Sequence, residues 1–337
     1  MANSRLCHRP SRFVVRLFVA LAIGLTLSEI VVGQPSEDSR YCAGSAGTPE
    51  ERIAACTRAI AAGRLSNETL SITFYNRTTN RWLDKRDYDR VIADYNEAIR
   101  LNPRFAGAYY NRGTVWRAKG ENDRALADYN EAIRLDPRNA NAYNSRGVVW
   151  GEKGDTDRAI ADHNEAVRLG PKVAEVYSSR GIVWRAKGEN DLAIADYNEA
   201  IRLNPQYADA YYNRGNARRA KGAREAAIAD YNEAIRFDPK NAYAYSSIAW
   251  LLAVSPNVTI RDGKRALEFA RKACELTSWK HGFHLDTLAA NYAEVGQFIE
   301  AVHWQERALE DPEFVKSNGA AARARLALYR ADKPYRE

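Results

Sequence analysis

Asp-Tyr-Asn-Glu-Ala-Ile-Arg stands at residues 94–100, 128–134, 196–202 and 230–236, and Asp162-His163-Asn164-Glu165-Ala166-Val167-Arg168 fills the gap in the series. The spacing is 34 residues throughout. Pro103, Pro137, Pro171, Pro205 and Pro239 keep step with it, as do Gly113, Gly147, Gly181 and Gly215, and again Gly120, Gly154, Gly188 and Gly222. Columns of different residue types that share one phase describe a repeated structural unit.

Within one period, residues 108–119 and 123–135 each place apolar or small side chains three and four apart, which is helical periodicity. Gly120 separates them and can take the left-handed conformation that ends a first helix. Asp136-Pro137 ends the second, because proline has no donor and restricts the residue before it. The unit is therefore a helical hairpin. Gly113 and Ala125 are small where the two helices cross, and Trp116, Tyr129 and Ala132 alternate large with small around that crossing. One hairpin cannot bury its apolar face alone, so neighbours stack on it and the array becomes one continuous core.

The 34-residue period, the aromatic, glycine and tryptophan of the first helix, the alanine and tyrosine of the second and the closing proline resemble the tetratricopeptide repeat, and exported bacterial members of that family are similar. The likeness is strong over 72–241, which would hold five repeats, and degenerate over 242–312, which would hold two atypical helix pairs. It implies an all-α, right-handed superhelical solenoid of antiparallel hairpins whose first helices line a concave groove. Residues 313–337, with Ala320-Ala321-Ala322 and Arg323, Arg325 and Arg330, read as a C-terminal capping helix with one polar face and a tail.

Departures from the family pattern carry their own expectations. Arg112, Arg146, Arg180 and Arg214 stand where the family usually has leucine, and Asp128, Asp162, Asp196 and Asp230 recur in step, so an ion-pair ladder between the paired helices is expected. Its net value should be small, because desolvation consumes much of the attraction of a partly buried pair. Trp82, Trp116, Trp150 and Trp184 form a column whose phase points to the core. The first repeat is less regular: Tyr75-Asn76-Arg77-Thr78 lacks the glycine, Trp82 comes one residue late and Arg86 replaces the turn glycine. His163 in a tyrosine column reads as a packing substitution.

At the N-terminus, Arg5, Arg9, Arg12 and Arg16 precede an apolar run from Leu17 to Leu27, and Val31-Val32-Gly33 supplies a small residue before Gln34. This is the pattern of a secretory signal peptide over 1–33, cleaved after Gly33. An uncleaved anchor is the competing reading, but the run is well short of the ~20 residues that span a bilayer and Glu29 interrupts its continuation. The mature chain is then expected to be soluble and periplasmic or secreted. Cys42, Cys56 and Cys274 remain after cleavage. Cys42–Cys56 is the expected disulfide, in a cap over 34–71 where residues 49–60 read as a lone second helix; Cys274 reads as a buried small hydrophobe.

The formal charge of +7 falls to +4 without the leader, with 46 basic and 42 acidic side chains left. Charges so nearly balanced and interspersed give no expectation of nucleic-acid binding. No nucleophile with its base, metal-ligand cluster or phosphate-cradling loop appears at recognisable spacing, so no catalysis, cofactor or metal is expected. His281 and His284, near Cys274 and Glu275, are too loosely spaced for a zinc site and read as a packed or surface loop.

If the first helices line a groove as the resemblance implies, the strip not committed to packing carries Tyr110, Thr114 and Arg117, then Asn144 and Val148, then Ser178, Ile182 and Arg185, then Tyr212, Asn216 and Arg219. Amide and guanidinium groups beside aromatic rings suit an extended peptide, whose backbone meets the amides and whose carboxylates meet the arginines. The sequence thus points to a non-catalytic scaffold or adaptor that binds a protein or peptide client. The alternatives are a self-associating structural or spacer protein, or an accessory subunit of an envelope enzyme complex.

Overall fold

The computed structural model describes residues 37–44, 47–81 and 87–337, so the leader over 1–33, Trp82 and Arg86 lie outside the described residues. Every regular element among the described residues is an α-helix. The chain divides into two compact units, Met1–Asp136 and Pro137–Glu337.

In the first unit, α1 (Glu37–Ala43) and α2 (Pro49–Ala61) precede two hairpins, α3 (Asn67–Arg81) with α4 (Tyr88–Leu101) and α5 (Ala106–Ala118) with α6 (Asn122–Leu135). A capping box starts α2. Thr48 Oγ1 accepts from the Glu51 backbone N–H at 3.2 Å, and the Glu51 carboxylate accepts from the Thr48 N–H at 2.7 Å. A disulfide joins Cys42 of α1 to Cys56 of α2, with the Cα atoms 4.8 Å apart. Both sulfurs lie in a small buried cluster with Ala55. The helix over residues 49–60 is thus not a lone one: α1 packs against it. Seven residues are too few to show a helical apolar period, which is why α1 was not anticipated.

The second unit holds three regular hairpins, α7 (Ala140–Glu152) with α8 (Thr156–Leu169), α9 (Ala174–Ala186) with α10 (Asn190–Leu203), and α11 (Ala208–Ala220) with α12 (Arg224–Phe237). Two atypical pairs follow, α13 (Ala242–Val254) with α14 (Gly263–Leu276) and α15 (Gly282–Glu294) with α16 (Phe298–Ala308), and then α17 (Pro312–Arg330). From α8 onward each helix of this unit packs on the one before it, and α13 also packs on α15.

Two glycine columns explain the hairpin. Gly188, between α9 and α10, has φ of +85°, a conformation that any Cβ would strain. Gly181 has an ordinary helical backbone, but a Cβ there would lie 2.7 Å from Cε1 of Tyr197, whose side chain is wholly buried. The missing methyl lets the helices approach, and the tyrosine fills what the glycine vacates.

The expected ladder is present in both units. In the first, Arg112 Nε and Nη2 donate to Asp128 at 2.8 and 2.7 Å. In the second, the same fork joins Arg146 to Asp162, Arg180 to Asp196 and Arg214 to Asp230, with closest contacts of 2.6 to 2.7 Å. The irregular first repeat keeps the pair by using Arg77 with Asp94 at 2.5 Å. The remaining guanidinium nitrogen reaches backward: Arg112 Nη1 donates to Asn96 at 2.7 Å, Arg180 Nη1 to Asn164 at 2.8 Å and Arg214 Nη1 to Asn198 at 2.7 Å. Each of these arginines also lies over a tyrosine of its own helix, Arg112 over Tyr109 and Arg180 over Tyr177. One arginine therefore ties its own hairpin together and fixes it to the preceding one.

Burial pushes the Asp128 carboxyl above the ordinary aspartate value even with Arg112 opposing it. That balance is the mark of a pair whose net contribution is small and whose rupture is expensive.

The tryptophan column is half-buried and not fully interior. Trp116 and Trp150 keep one face on the core, while Arg124 and Arg158 lie over their rings at 4.6 and 4.7 Å. Beyond α12 the core thickens, because Ile248, Leu251, Leu252 and Val254 leave α13 no polar face and meet Leu285, Leu288 and Tyr329. Ser278 and Trp279 take positive φ in the irregular link before α15. Cys274 is buried, and burial pushes its thiol up to about 12, so it packs as a small hydrophobe.

The C-terminal helix departs from the expected cap with its arginines on a polar face. Arg325 is buried and donates to both carboxylate oxygens of Asp286 at 2.7 and 2.9 Å, and Gln305 donates to the same aspartate at 2.7 Å. Arg323 and Arg330 remain exposed.

A mutant cycle on Arg180 and Asp196 tests the joint. Either alanine substitution alone should lower stability by about 3 kcal/mol, because it strands a partner that is 19% or 8% exposed. The double substitution should cost less than the sum, read from urea midpoints by helical circular dichroism. Reducing the Cys42–Cys56 bridge should cost about 3 kcal/mol, and hydrogen exchange should place the lost protection in α1 to α3.

Candidate functional site

The anticipated strip separates into side chains that the structure ties down and side chains that it presents. In the first unit Tyr110, Thr114 and Arg117 are half-buried. Tyr129 donates its hydroxyl to Thr114 Oγ1 at 3.3 Å, and the Tyr110 ring leans on the Tyr129 ring with centroids 6.0 Å apart.

The second unit repeats this plan with variations. Tyr231 donates its hydroxyl to Asn216 Oδ1 at 2.9 Å, and the Tyr212 ring leans on Tyr231 at 5.8 Å. His163 replaces the tyrosine two periods earlier and meets Asn144 Oδ1 through Nδ1 at 3.0 Å. At the α9 position equivalent to Asn216 stands Ile182, which is 43% exposed and offers the Tyr197 hydroxyl no partner. Arg185 and Arg219 are exposed, while Val148 is half-buried.

Ser178 is a correction. It is 3% exposed, and its hydroxyl interacts with Tyr207 in the link before α11, so it belongs to the packing and not to the surface. Its small side chain lets the link close over it, where Tyr212 at the equivalent position is half-buried.

The exposed arginines act on the tyrosines beneath them. Burial pushes the Tyr197 phenol up to about 12, and the Arg185 guanidinium opposes that rise. Burial pushes Tyr231 up as well, with Arg219 opposing. The face of α9 and α11 therefore combines an apolar side chain, two guanidinium groups and two phenols that stay protonated at neutral pH.

One feature of this face was missed in the sequence. Trp250 on α13 continues the column of Ile182 and Asn216, and the chain's own C-terminal segment covers it. Trp250 Nε1 donates to the Glu337 carboxylate at 2.8 Å, the Glu337 N–H donates to the Val254 carbonyl at 3.1 Å, and Arg336 pairs with Glu294. The period of 34 would have extended the strip to Trp250; nothing in the sequence brings residues 335–337 back to it.

The two histidines of the α15 region differ, His281 being exposed and His284 packed inside. His284 is buried with Nδ1 2.5 Å from the Ser246 hydroxyl, and no group of three or more His, Cys, Asp or Glu is arranged to hold a metal among the described residues. No helix among the described residues is long and apolar enough to cross a membrane.

A family model described as the TPR repeat matches residues 113–154, 183–222 and 215–252. None of the curated proteins matches the sequence. Among solved structures, a tetratricopeptide repeat protein from Parabacteroides merdae superposes with a TM-score of 0.57 at 18% identity, covering 77% of this chain and 98% of its own. PilF of Pseudomonas aeruginosa superposes at 0.55 with 17% identity over 63% of this chain and 94% of its own. These likenesses concern the fold alone. YrrB, described as a TPR protein with an unusual peptide-binding site, reaches 26% identity over 57% of this chain and 95% of its own, with a TM-score of 0.44 that is too low to support an argument.

Burial holds His163 and His284 near a pKa of about 4, below the ordinary 6.5, with Arg180 and His281 respectively adding to the shift. Because the folded values are depressed, the unfolded chain takes up these protons first on acidification. Stability present above pH 6.5 should fall as the pH drops toward 4, by about 3 kcal/mol for each histidine. Thermal midpoints across that range, for wild type and His163→Tyr, should show the variant losing less.

Proposed function

The chain belongs to the tetratricopeptide-repeat family, and from that premise we propose that the exposed face of α9 and α11 binds a segment of another polypeptide. The observation that carries this reading is the repeated exposure of Arg185 and Arg219, one period apart, on helices whose remaining sides are packed. Exposed guanidinium groups above buried phenols favour carboxylates, and exposed Ile182, one turn from Arg185 on α9, favours an apolar side chain. Tyr110, Thr114 and Arg117 offer the equivalent surface in the first unit. The role is binding and not catalysis, and the partner is a protein or peptide and not a nucleic acid.

The protein acts outside the cytoplasm in this reading, as a soluble chain released from its leader. The Cys42–Cys56 bridge supports that compartment, because structural disulfides persist where thiols are not kept reduced.

Capture of partners from a periplasmic extract by residues 34–337, identified by mass spectrometry, tests the proposal. A client retained by the wild type and lost, at least tenfold, by the Arg185→Ala, Arg219→Ala double variant is the expected result. Equal retention by both would move the site off this face. Recovery only of further copies of the chain would favour a self-associating structural protein.

A further inference from the structure

The repeat formed by α7 and α8 departs from its neighbours at several columns at once, and the departures meet in space. His163 stands where the other repeats have Tyr129, Tyr197 and Tyr231. Gly151 stands where they have Arg117, Arg185 and Arg219. Val148 stands where Thr114 and Asn216 receive a tyrosine hydroxyl. A shorter ring, a missing arginine and an apolar wall leave a cavity of about 270 Å³ lined by Val148, Gly151, His163, Ile182, Val183 and Ala186 among others. An apolar cavity of about 150 Å³ already suffices to hold a benzene ring.

Glu152, Thr156 and Ser179 also line the cavity, and its one aromatic polar group is an imidazole. His163 is wholly buried, and its Nε2 has no hydrogen-bond partner. Its Nδ1 is 3.0 Å from Asn144 Oδ1, an acceptor, so Nδ1 carries the proton and Nε2 presents a lone pair. The Nδ1 and Cε1 edge lies against Gly147, where a Cβ would be only 3.1 and 3.0 Å away. Nε2, bonded to Cε1 at the tip of the ring, is the nitrogen that Asn144 leaves unpaired. A buried acceptor without a donor is expensive, and a bound donor would relieve it.

We propose that this cavity is a specificity pocket for a tyrosine side chain of the bound polypeptide, the ring filling the space left by His163 and Gly151 and the phenol donating to His163 Nε2. The proposal rests on the reading of the first-helix face as a polypeptide-binding surface, since Ile182 belongs to both that face and the cavity wall. It adds what the face alone does not supply, a requirement for one kind of residue at one point along the client.

The probe is p-cresol, the tyrosine side-chain analogue, with toluene as the analogue that lacks the hydroxyl. Titration of residues 34–337, labelled on histidine, should move the His163 resonances, with p-cresol binding about fivefold tighter than toluene, the worth of one hydrogen bond. His163→Tyr, which refills the cavity, should abolish the binding. Gly151→Arg should abolish it too. A Cβ at Gly151 meets nothing closer than 3.7 Å, so that variant keeps the fold and blocks only the mouth. Undiminished p-cresol binding in both variants, equal affinity for toluene, or no binding to the wild type would each overturn the proposal. A client held through Arg185 and Arg219 by a chain that binds no p-cresol would end this inference and leave the binding face standing.

Discussion

One guanidinium group per repeat is the joint on which the stacking depends. Arg180 donates a fork to Asp196 on the second helix of its own hairpin, a third bond to Asn164 on the hairpin before, and lies over the ring of Tyr177. The first of these closes the hairpin and the second fixes it to its neighbour. Asp196 and Asn198 flank Tyr197, which is itself seated against Gly181 of the partner helix. The recurring Asp-Tyr-Asn is thus one sentence of packing: a carboxylate for the arginine of its own repeat, a ring for the glycine, and an amide for the arginine of the next. A half-buried arginine in place of an apolar side chain adds little net stability, but it punishes any stacking that leaves the charge unpaired. It acts on the choice of arrangement more than on the depth of the minimum.

This joint was half legible in the sequence. Arg180 and Asp196 fall in columns of one phase, and a charge near a packed surface requires a counter-charge, so the pairing within the hairpin could be read from spacing. The bond to Asn164 could not, because the asparagine column reads equally well as a polar exterior until the neighbouring hairpin is placed. The same limit applies to Arg325, whose apparent polar face turns out to meet Asp286. It also applies to Ser178, which the strip pattern exposes and the link around Tyr207 covers. The helix α1 left too short a trace, and the return of residues 335–337 to Trp250 is a tertiary event without local pattern. Periodicity reveals what recurs; it is silent about contacts made once.

The candidate site is written in the places where the repeat is not repeated. Core columns of glycine, alanine and tyrosine are held fixed by packing, so variation concentrates at Val148, Ile182 and Asn216 and at Gly151, Arg185 and Arg219. Arginine over a buried phenol gives two of these repeats an exposed cation on a rigid base. Glycine over a buried imidazole gives the α7 and α8 repeat a recess instead. A surface with cations at two steps and a recess at a third can distinguish one extended segment from another, whereas identical repeats would bind in any register. Further along the unit the chain's own tail lies on Trp250, whose Nε1 donates to the Glu337 carboxylate.

Hydrogen exchange of the chain with and without its captured client tests the central claim most directly, because it reports where the partner lies and not only whether it binds. The account predicts added protection in α7, α9 and α11 around residues 148–151, 182–185 and 216–219, with α8, α10 and α12 unchanged on their outer surfaces. Protection confined to those second helices, or to the ends of the chain, would contradict it.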